Sequence, residues 1–489
     1  MEANQQSGGR STHQKVGLAL GPLIAITMLA IGPPESLDSD IAWRTAAMGL
    51  LMATWWATEA LPIAVTAFVP LVCFPLLGIA NIQQTAAPYA NKVIYLFVGG
   101  FVIALAMQRW NLHKRIALTV LERVGGNGRA LVAGFMLASA LLSMWVMNTS
   151  TTMMLLPIGV SVIKVIHDSI SGLDERNRKH FQYALLLGIA YGATIGGMAT
   201  LVGTAPNAML AAFMADNYNV TIDFSRWMLV GVPLSITMLP LAWITLVYWV
   251  FPVDFKTSGE GKRLLHSMKE AMGPTTIPER RVGWIFLVVC CLWLFRPLLL
   301  KFEALAGLDD SGIAMAGAIA MFLVPSGDRD DPFLLRWEKA AELPWGILVL
   351  FGGGLALAGA VSQTGLANWI GSSLQAVGTL PIAVLVILAA TLIIFLTELT
   401  SNIATTATFL PIVAAVAIGA GADPVYLTVP VTLAASCAFM LPVATPPNAI
   451  VFGSGLLTIP NMVRAGIALN LIGIVLVSLV GLYLAPRIF

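Results

Sequence analysis

Apolar residues run through this chain in long blocks rather than alternating, and the blocks have the length at which about 20 mainly apolar residues cross about 30 Å of hydrocarbon. They fall at 16–33, 43–59, 62–80, 93–108, 180–214, 225–251, 282–300, 311–325, 344–363, 422–455 and 460–486, which predicts eleven spanning helices. Two further blocks, 130–166 and 381–418, are too long for one span. Each carries a polar cluster at its middle, Asn148-Thr149-Ser150-Thr151-Thr152 in one and Thr400-Ser401-Asn402 in the other. A polar cluster at mid-length predicts a re-entrant hairpin that enters and leaves on one side.

Composition narrows the class. Hydrophobic residues make up 58% of the 489, charged ones 11%, and the mean hydropathy is +0.84; soluble proteins average about 45–50% and about 25%, so a soluble fold is excluded. Lys+Arg 27 against Asp+Glu 25 leaves a formal +2, too balanced for a nucleic-acid partner. Cys73, Cys290, Cys291 and Cys437 lie in apolar runs and read as small hydrophobes. The first apolar run ends in Gly-Pro-Pro-Glu rather than a cleavage motif and reads as a retained span after a polar tail, 1–15. With the N-terminus inside, 21 of the 27 Lys+Arg fall on the inner side and six (Arg44, Lys92, Arg226, Arg296, Lys301, Arg487) outside. The positive-inside rule then predicts N-in and C-out, with the first hairpin opening inward and the second outward.

The chain also repeats itself. An offset of 254 lays Asn148–Ile158 on Asn402–Ile412 with six identities in eleven gapless positions, and Phe97, Gly99, Gly100 and Ala104 on Phe351, Gly353, Gly354 and Ala358. An offset of 241 lays Gly203-Thr204-Ala205-Pro206-Asn207-Ala208 on Ala444-Thr445-Pro446-Pro447-Asn448-Ala449. Collinear elements entered from opposite faces predict an inverted repeat.

Chemistry concentrates in the repeated elements. Gly196-Gly197, Gly203 and Pro206 in one half, and Pro442, Pro446 and Pro447 in the other, interrupt helical hydrogen bonding where lipid supplies no substitute. Exposed carbonyls with Thr and Asn oxygens can ligate a hard cation, while free N–H groups at a new helix start attract an anion. The motif segments contain no Lys or Arg. An anion there would be neutralised by helix ends, amide and hydroxyl donors and co-bound cations. Within the spans only Glu59, Glu398 and Arg296 are evidently ionisable, apart from basic residues near span ends. Glu398 is expected to bond to backbone at the hairpin tip, Glu59 to lie at an interface and Arg296 to snorkel outward. Gly99-Gly100 and Gly352-Gly353-Gly354 read as close-packing positions, and the Arg109–Arg123 stretch as an interfacial helix.

At these motifs the chain resembles the divalent anion/sodium symporter family of dicarboxylate, citrate and sulfate carriers. The likeness runs from Glu59-Ala60-Leu61-Pro62 through Pro344-Trp345-Gly346 and Phe351-Gly352-Gly353-Gly354 to Ala444–Gly453. That family carries Ser-Asn-Thr at each hairpin tip, matched here by Met147-Asn148-Thr149 and Ser401-Asn402-Ile403. The resemblance implies a homodimer in a bacterial inner or plasma membrane, with scaffold and transport domains in an elevator-like arrangement. It implies sodium sites around Ser143, Asn148 and Gly203 and around Thr397, Thr400, Asn402 and Ala444. Substrate contacts are implied from Asn148, Thr149, Thr204, Asn402, Thr445 and Pro446. Met147 and Ile403 depart from the signature and remove two hydroxyls, and Met147 leaves the sodium stoichiometry open.

The organisation expected is scaffold at 16–128 and 282–363, transport domain at 129–251 and 364–489, and an inner linker at 252–281. The expected activity is sodium-coupled uptake of a small dianion, a C4 dicarboxylate such as succinate, malate or fumarate. The alternatives are sulfate or tricarboxylate uptake, or sodium-independent exchange. An intramembrane enzyme lacks support, since the spans hold no His-Glu-x-x-His pair or Ser/His dyad.

Overall fold

The computed structural model describes residues 10–123, 127–169, 174–255, 259–328, 331–373 and 380–489. Most of the polar tail, residues 1–9, and Lys256 of the linker lie outside them. Among the described residues there are helices and no strand, with an isolated bridge between Pro325 and Phe333. Among the described residues, eight helical segments are long and apolar enough to cross a membrane: Thr12–Ile31, Ile82–Arg109, Asn148–Asp168, Phe224–Val250, Ile277–Leu299, Trp345–Gln363, Asn402–Gly419 and Ile459–Ile488. Shorter apolar helices fill out the rest, among them Gly128–Ser143, Asp310–Leu323, Ile382–Thr397 and Val425–Ser436.

Where the sequence predicts one span at 62–80, the chain forms two short helices, Ile63–Thr66 and Val69–Leu76. Pro62 and Pro70 each start a helix, and a proline inside a single continuous helix would remove a bond and clash with the preceding turn. The long blocks break at their polar clusters, as expected. Gly128–Ser143 and Asn148–Ser169 meet at a turn over 144–147, and Ile382–Thr397 and Asn402–Gly419 at a turn over 398–401. The blocks at 180–214 and 422–455 break too, giving Glu175–Gly197 then Ala205–Tyr218, and Val425–Ser436 then Pro446–Phe452.

The glycines close the packing as expected. A Cβ on Gly99 would stand 2.6 Å from the backbone oxygen of Ala314, and one on Gly354 would stand 2.9 Å from Cβ of Ala407. The 252–281 stretch carries an amphipathic helix, Glu260–Glu270. It buries Leu265 and ties to the Leu112–Arg123 helix through Lys269 and His266, each 2.6 Å from a Glu122 oxygen. Those bonds hold the Glu122 carboxyl below its usual range, Lys269 contributing most, and the Glu122 bond raises His266.

Two ionisable groups sit differently from expectation. Arg296 does not snorkel: its side chain is 16% exposed, its Nε donates to the Leu308 carbonyl at 2.9 Å, and Asp310 lies 3.6 Å away. Partners within reach outweigh the longer path to headgroups. Glu398 is backbone-bonded as expected, yet to the second helix break rather than to its own tip. Its carboxylate is 3% exposed and accepts from the amides of Phe439 (2.8 Å), Met440 (2.9 Å) and Leu441 (3.0 Å), and from Asn470 Nδ2 (2.8 Å). Removing it strands three N–H groups, one buried and two part-buried, at up to roughly 1–3 kcal/mol each. Glu398→Ala is therefore expected to destabilise by on the order of 3 kcal/mol or more, and Glu398→Gln by less. Thermal unfolding in detergent tests this; an unchanged midpoint for the alanine variant would show the break to be held by other contacts.

Candidate functional site

Each half builds its part of the site from the same small set of bonds. At the tips, Ser143 Oγ donates to Asn148 Oδ1 at 2.8 Å and Thr397 Oγ1 to Asn402 Oδ1 at 2.9 Å. One turn on, Thr152 and Thr406 each donate to the carbonyl of the tip asparagine at 2.8 Å. At the breaks, Asn207 Nδ2 donates to the carbonyls of Gly197, Met198 and Thr200, at 3.4, 3.3 and 2.8 Å. Asn448 Nδ2 donates to those of Ala438 and Leu441, at 3.3 and 3.0 Å. The 254 and 241 offsets relate these pairs residue for residue, so two buried amides (both 0% exposed) restore what the interrupted helices lose.

Tips and breaks face one cavity of about 470 Å³. Of the sequence-derived candidates, Asn148, Thr149, Gly203, Thr204, Asn402, Ala444, Thr445 and Pro446 line it. Ser143 and Thr397 are buried directly behind the tip asparagines, reaching the cavity only through them. Thr400 is not brought to it. Its hydroxyl is occupied by the Leu396 carbonyl at 3.0 Å and Thr405 at 2.7 Å, and it faces a separate, mainly apolar cavity beside Asp40–Thr58. Met147 and Ile403 both line the main cavity and place apolar surface where the family signature has hydroxyls.

Four helix starts converge there: Asn148, Ala205, Asn402 and Pro446. Helices of 22, 14 and 18 residues stand behind the first three. The fourth, seven residues long, opens on two prolines and so has fewer N–H groups to offer. A start acts as roughly half a positive charge. No Lys or Arg lines the cavity among the described residues; Glu59 is its one ionisable group. Glu59 caps Asp40–Thr58 in a left-handed conformation, φ 48, at a negative helix end. The cavity lining therefore combines four positive helix starts with one carboxylate, alongside the apolar Ile63, Phe97, Phe101 and Ile347.

Among the buried oxygens without a protein partner are the Thr194 and Ser436 hydroxyls, which line the cavity, and Oδ1 of Asn207 and Asn448 beside the breaks. Together with the tip asparagine oxygens they form a hard, neutral donor set of the kind sodium accepts. Sequence reasoning missed Thr194 and Ser436, which carry no motif of their own, and did not bring Glu59 to the cavity. The Glu59-Ala60-Leu61-Pro62 signature was the available pointer.

A membrane-embedded helical chain with this doubled site is a carrier, not an enzyme. It matches the model of the sodium:sulfate symporter transmembrane region over residues 13–487, and it belongs to that family, the divalent anion/sodium symporters. Among its relatives, the sodium-dependent dicarboxylate transporter SdcS of Staphylococcus saprophyticus is 41% identical over 478 residues, covering 97% of this chain and 92% of that protein. The Staphylococcus aureus protein of the same name is 40% identical over 482 residues, with the same coverage. The fold is similar to the Alcanivorax borkumensis YdaH transporter, with TM-score 0.60, 15% identity and 90% and 99% of the two chains covered. Neisseria gonorrhoeae MtrF is similar at TM-score 0.59, 12% identity and 95% and 94% coverage.

The first half is built more tightly than the second. A Cβ on Gly197 would lie 2.7 Å from Asn148 Oδ1 and 3.1 Å from the Gly203 carbonyl, whereas the corresponding positions in the second half are already Ala438 and Ala444. Gly197→Ala must push tip and break apart, an overpacking cost of about 1–3 kcal/mol concentrated on the site. It is expected to abolish or nearly abolish transport in a chain that still folds, while Ala438→Gly leaves transport near wild type. Uptake normalised to surface expression checks this, and normal uptake by Gly197→Ala would separate Asn148 from the break.

Proposed function

We propose that this chain is a sodium-coupled secondary carrier of C4 dicarboxylates such as succinate, malate and fumarate. The observation that carries the reading is the cavity itself, which joins four helix starts and two asparagine tips without a single Lys or Arg among the described residues. A dianion fits between the starts, with Asn148, Thr149, Thr204, Asn402, Thr445 and Pro446 around it. Helix starts worth roughly half a charge each fall short of a dianion plus the Glu59 carboxylate. Co-bound cations make up the difference. Sodium is held on the first side by Ser143, Asn148 and Gly203, and on the second by Thr397, Asn402 and Ala444; Thr400 supports the second site through the tip's shape rather than as a ligand. The names of the Staphylococcus relatives support both sodium and dicarboxylate.

Around this site the reading includes eleven spans, two re-entrant hairpins entering from opposite faces, and N-in, C-out orientation in a bacterial inner or plasma membrane. Scaffold segments 16–128 and 282–363 form a homodimer; 129–251 and 364–489 move against them as an elevator, and 252–281 links the halves inside the cell. The repeated bonds at tips and breaks support a common rigid unit, since each half closes on itself through short hydrogen bonds.

The test is uptake of labelled succinate into proteoliposomes with a sodium gradient or with choline, challenged by sulfate, citrate and glutamate. Sodium-dependent uptake competed by dicarboxylates is expected. Equal uptake in choline would favour exchange, and competition by sulfate alone would make the carrier inorganic. Asn148→Ala and Asn402→Ala are each expected to abolish uptake, since a site losing a hydrogen-bonding group typically loses about 1–3 kcal/mol.

Met147 gives a separate expectation. Its thioether cannot serve as an oxygen ligand, so Met147→Ser should raise apparent sodium affinity. By linkage, the same change should strengthen the sodium-dependent tightening of succinate. Calorimetry of both ligands in both proteins measures this; unchanged sodium affinity would leave Met147 outside the ion site.

A further inference from the structure

Another cavity lies away from this site. It measures about 750 Å³ and sits between the end of Lys92–Arg109, the start of Leu112–Arg123, the start of Ile277–Leu299 and the 327–328 turn. Its wall is basic. Asn111, with φ 56, folds the chain back between the first two helices, so that Arg109, Lys114 and Arg115 all line one space. Two of the three cations are partly or fully committed. Arg115 forms a fork on Glu279, at 2.9 and 3.0 Å, and also donates to the Gly273 carbonyl at 2.9 Å. Arg109 Nη2 pairs with Asp331, which Arg336 also holds at 2.8 Å.

What remains is unspent donor capacity. Arg109 Nη1 is buried without a partner, and Lys114 has no ion-pair or hydrogen-bond partner among the described residues. Lys114 and Arg115 also lie in the first turn of Leu112–Arg123, where no acidic residue stands and where the helix end is already positive. Cations are misplaced there unless an anion sits opposite. The carboxylates on the wall are Glu279, neutralised by Arg115, and Asp328. In the proposed orientation the cavity faces the cytoplasmic leaflet beside an interfacial helix, where basic pockets between spans collect anionic headgroups.

We propose that this cavity binds a phosphate-bearing anion, gripped by Lys114 and the free edge of Arg109. The source is an anionic phospholipid headgroup or a free phosphate. Either would lock the Leu112–Arg123 and Ile277–Leu299 helices together, at a place remote from the transport cavity.

The test measures ligand-dependent thermal stabilisation of the full-length protein, with Lys114→Gln and Lys114→Arg beside the wild type and Asn148→Ala as a background in which the substrate cavity is impaired. Probes are phosphatidylglycerol in phosphatidylcholine nanodiscs, and inorganic phosphate in detergent at matched ionic strength. Saturable stabilisation is expected, about tenfold weaker in Lys114→Gln, the effect of one lost hydrogen bond between charged groups, and restored in Lys114→Arg. Response to phosphatidylglycerol alone assigns a headgroup; response to both assigns the phosphate group itself. Equal response in wild type and Lys114→Gln, or none beyond phosphatidylcholine, overturns the site. Because the readout is binding, it stands apart from whether succinate is the cargo.

Discussion

A carbonyl or amide that loses its helical partner inside an apolar protein has no water to turn to, and leaving it unpaired costs about 1–3 kcal/mol. This chain interrupts two helices at 198–204 and 437–445, and everything at the candidate site follows from how those interruptions are repaired. Asn207 and Asn448 donate to carbonyls within the interruptions themselves, Thr200 accepts from Gly203, and Glu398 gathers three amides of the second break. Each repair leaves a fresh helix start aimed at the cavity. The same constraint that makes the breaks expensive makes them useful, since the ends they create carry partial charge without an ionised side chain.

The two halves reach one geometry by different chemistry. The first relies on close backbone approach, with Gly197 against Gly203 and Asn148, and on a hydroxyl at Thr200. The second has alanines at the matching positions and uses a buried carboxylate, steadied by Asn470. Around the tips the difference continues: Trp145 stacks at 5.9 Å on Phe224 and at 6.4 Å on Trp293, whereas its counterpart Leu399 is exposed. Duplicated backbones under different local packing drift apart in side chains while keeping the bonds that the breaks demand.

Electrostatically the cavity is a set of dipoles and one carboxylate. Dipolar neutralisation suits a carrier better than a fixed arginine would, because a full charge at close range in a low dielectric holds a dianion strongly. On the reading proposed above, weak ends plus mobile cations would make affinity conditional on the ions.

Much of this was legible in the sequence because it depends on local rules. Block length sets where helices cross, Pro and Gly in an apolar run must break a helix, and a duplicated motif marks duplicated tips and breaks. Asn148 and Asn402 could be named on that basis, Thr204 and Thr445 through the family resemblance, and they meet in one cavity. What tertiary structure alone decided was direction and partnership. Thr400 is two residues from Asn402, yet its hydroxyl is taken up by Leu396 and Thr405 and faces another cavity, because the turn's geometry aims it there. Glu398 reaches amides more than forty positions away, Arg296 finds Leu308 and Asp310 before it finds headgroups, and Glu59 enters the cavity from a different helix. Sequence spacing carries the period of an element, but where a side chain's charge or hydrogen bond is spent depends on which other elements pack against it, and that is settled only when the whole chain is folded.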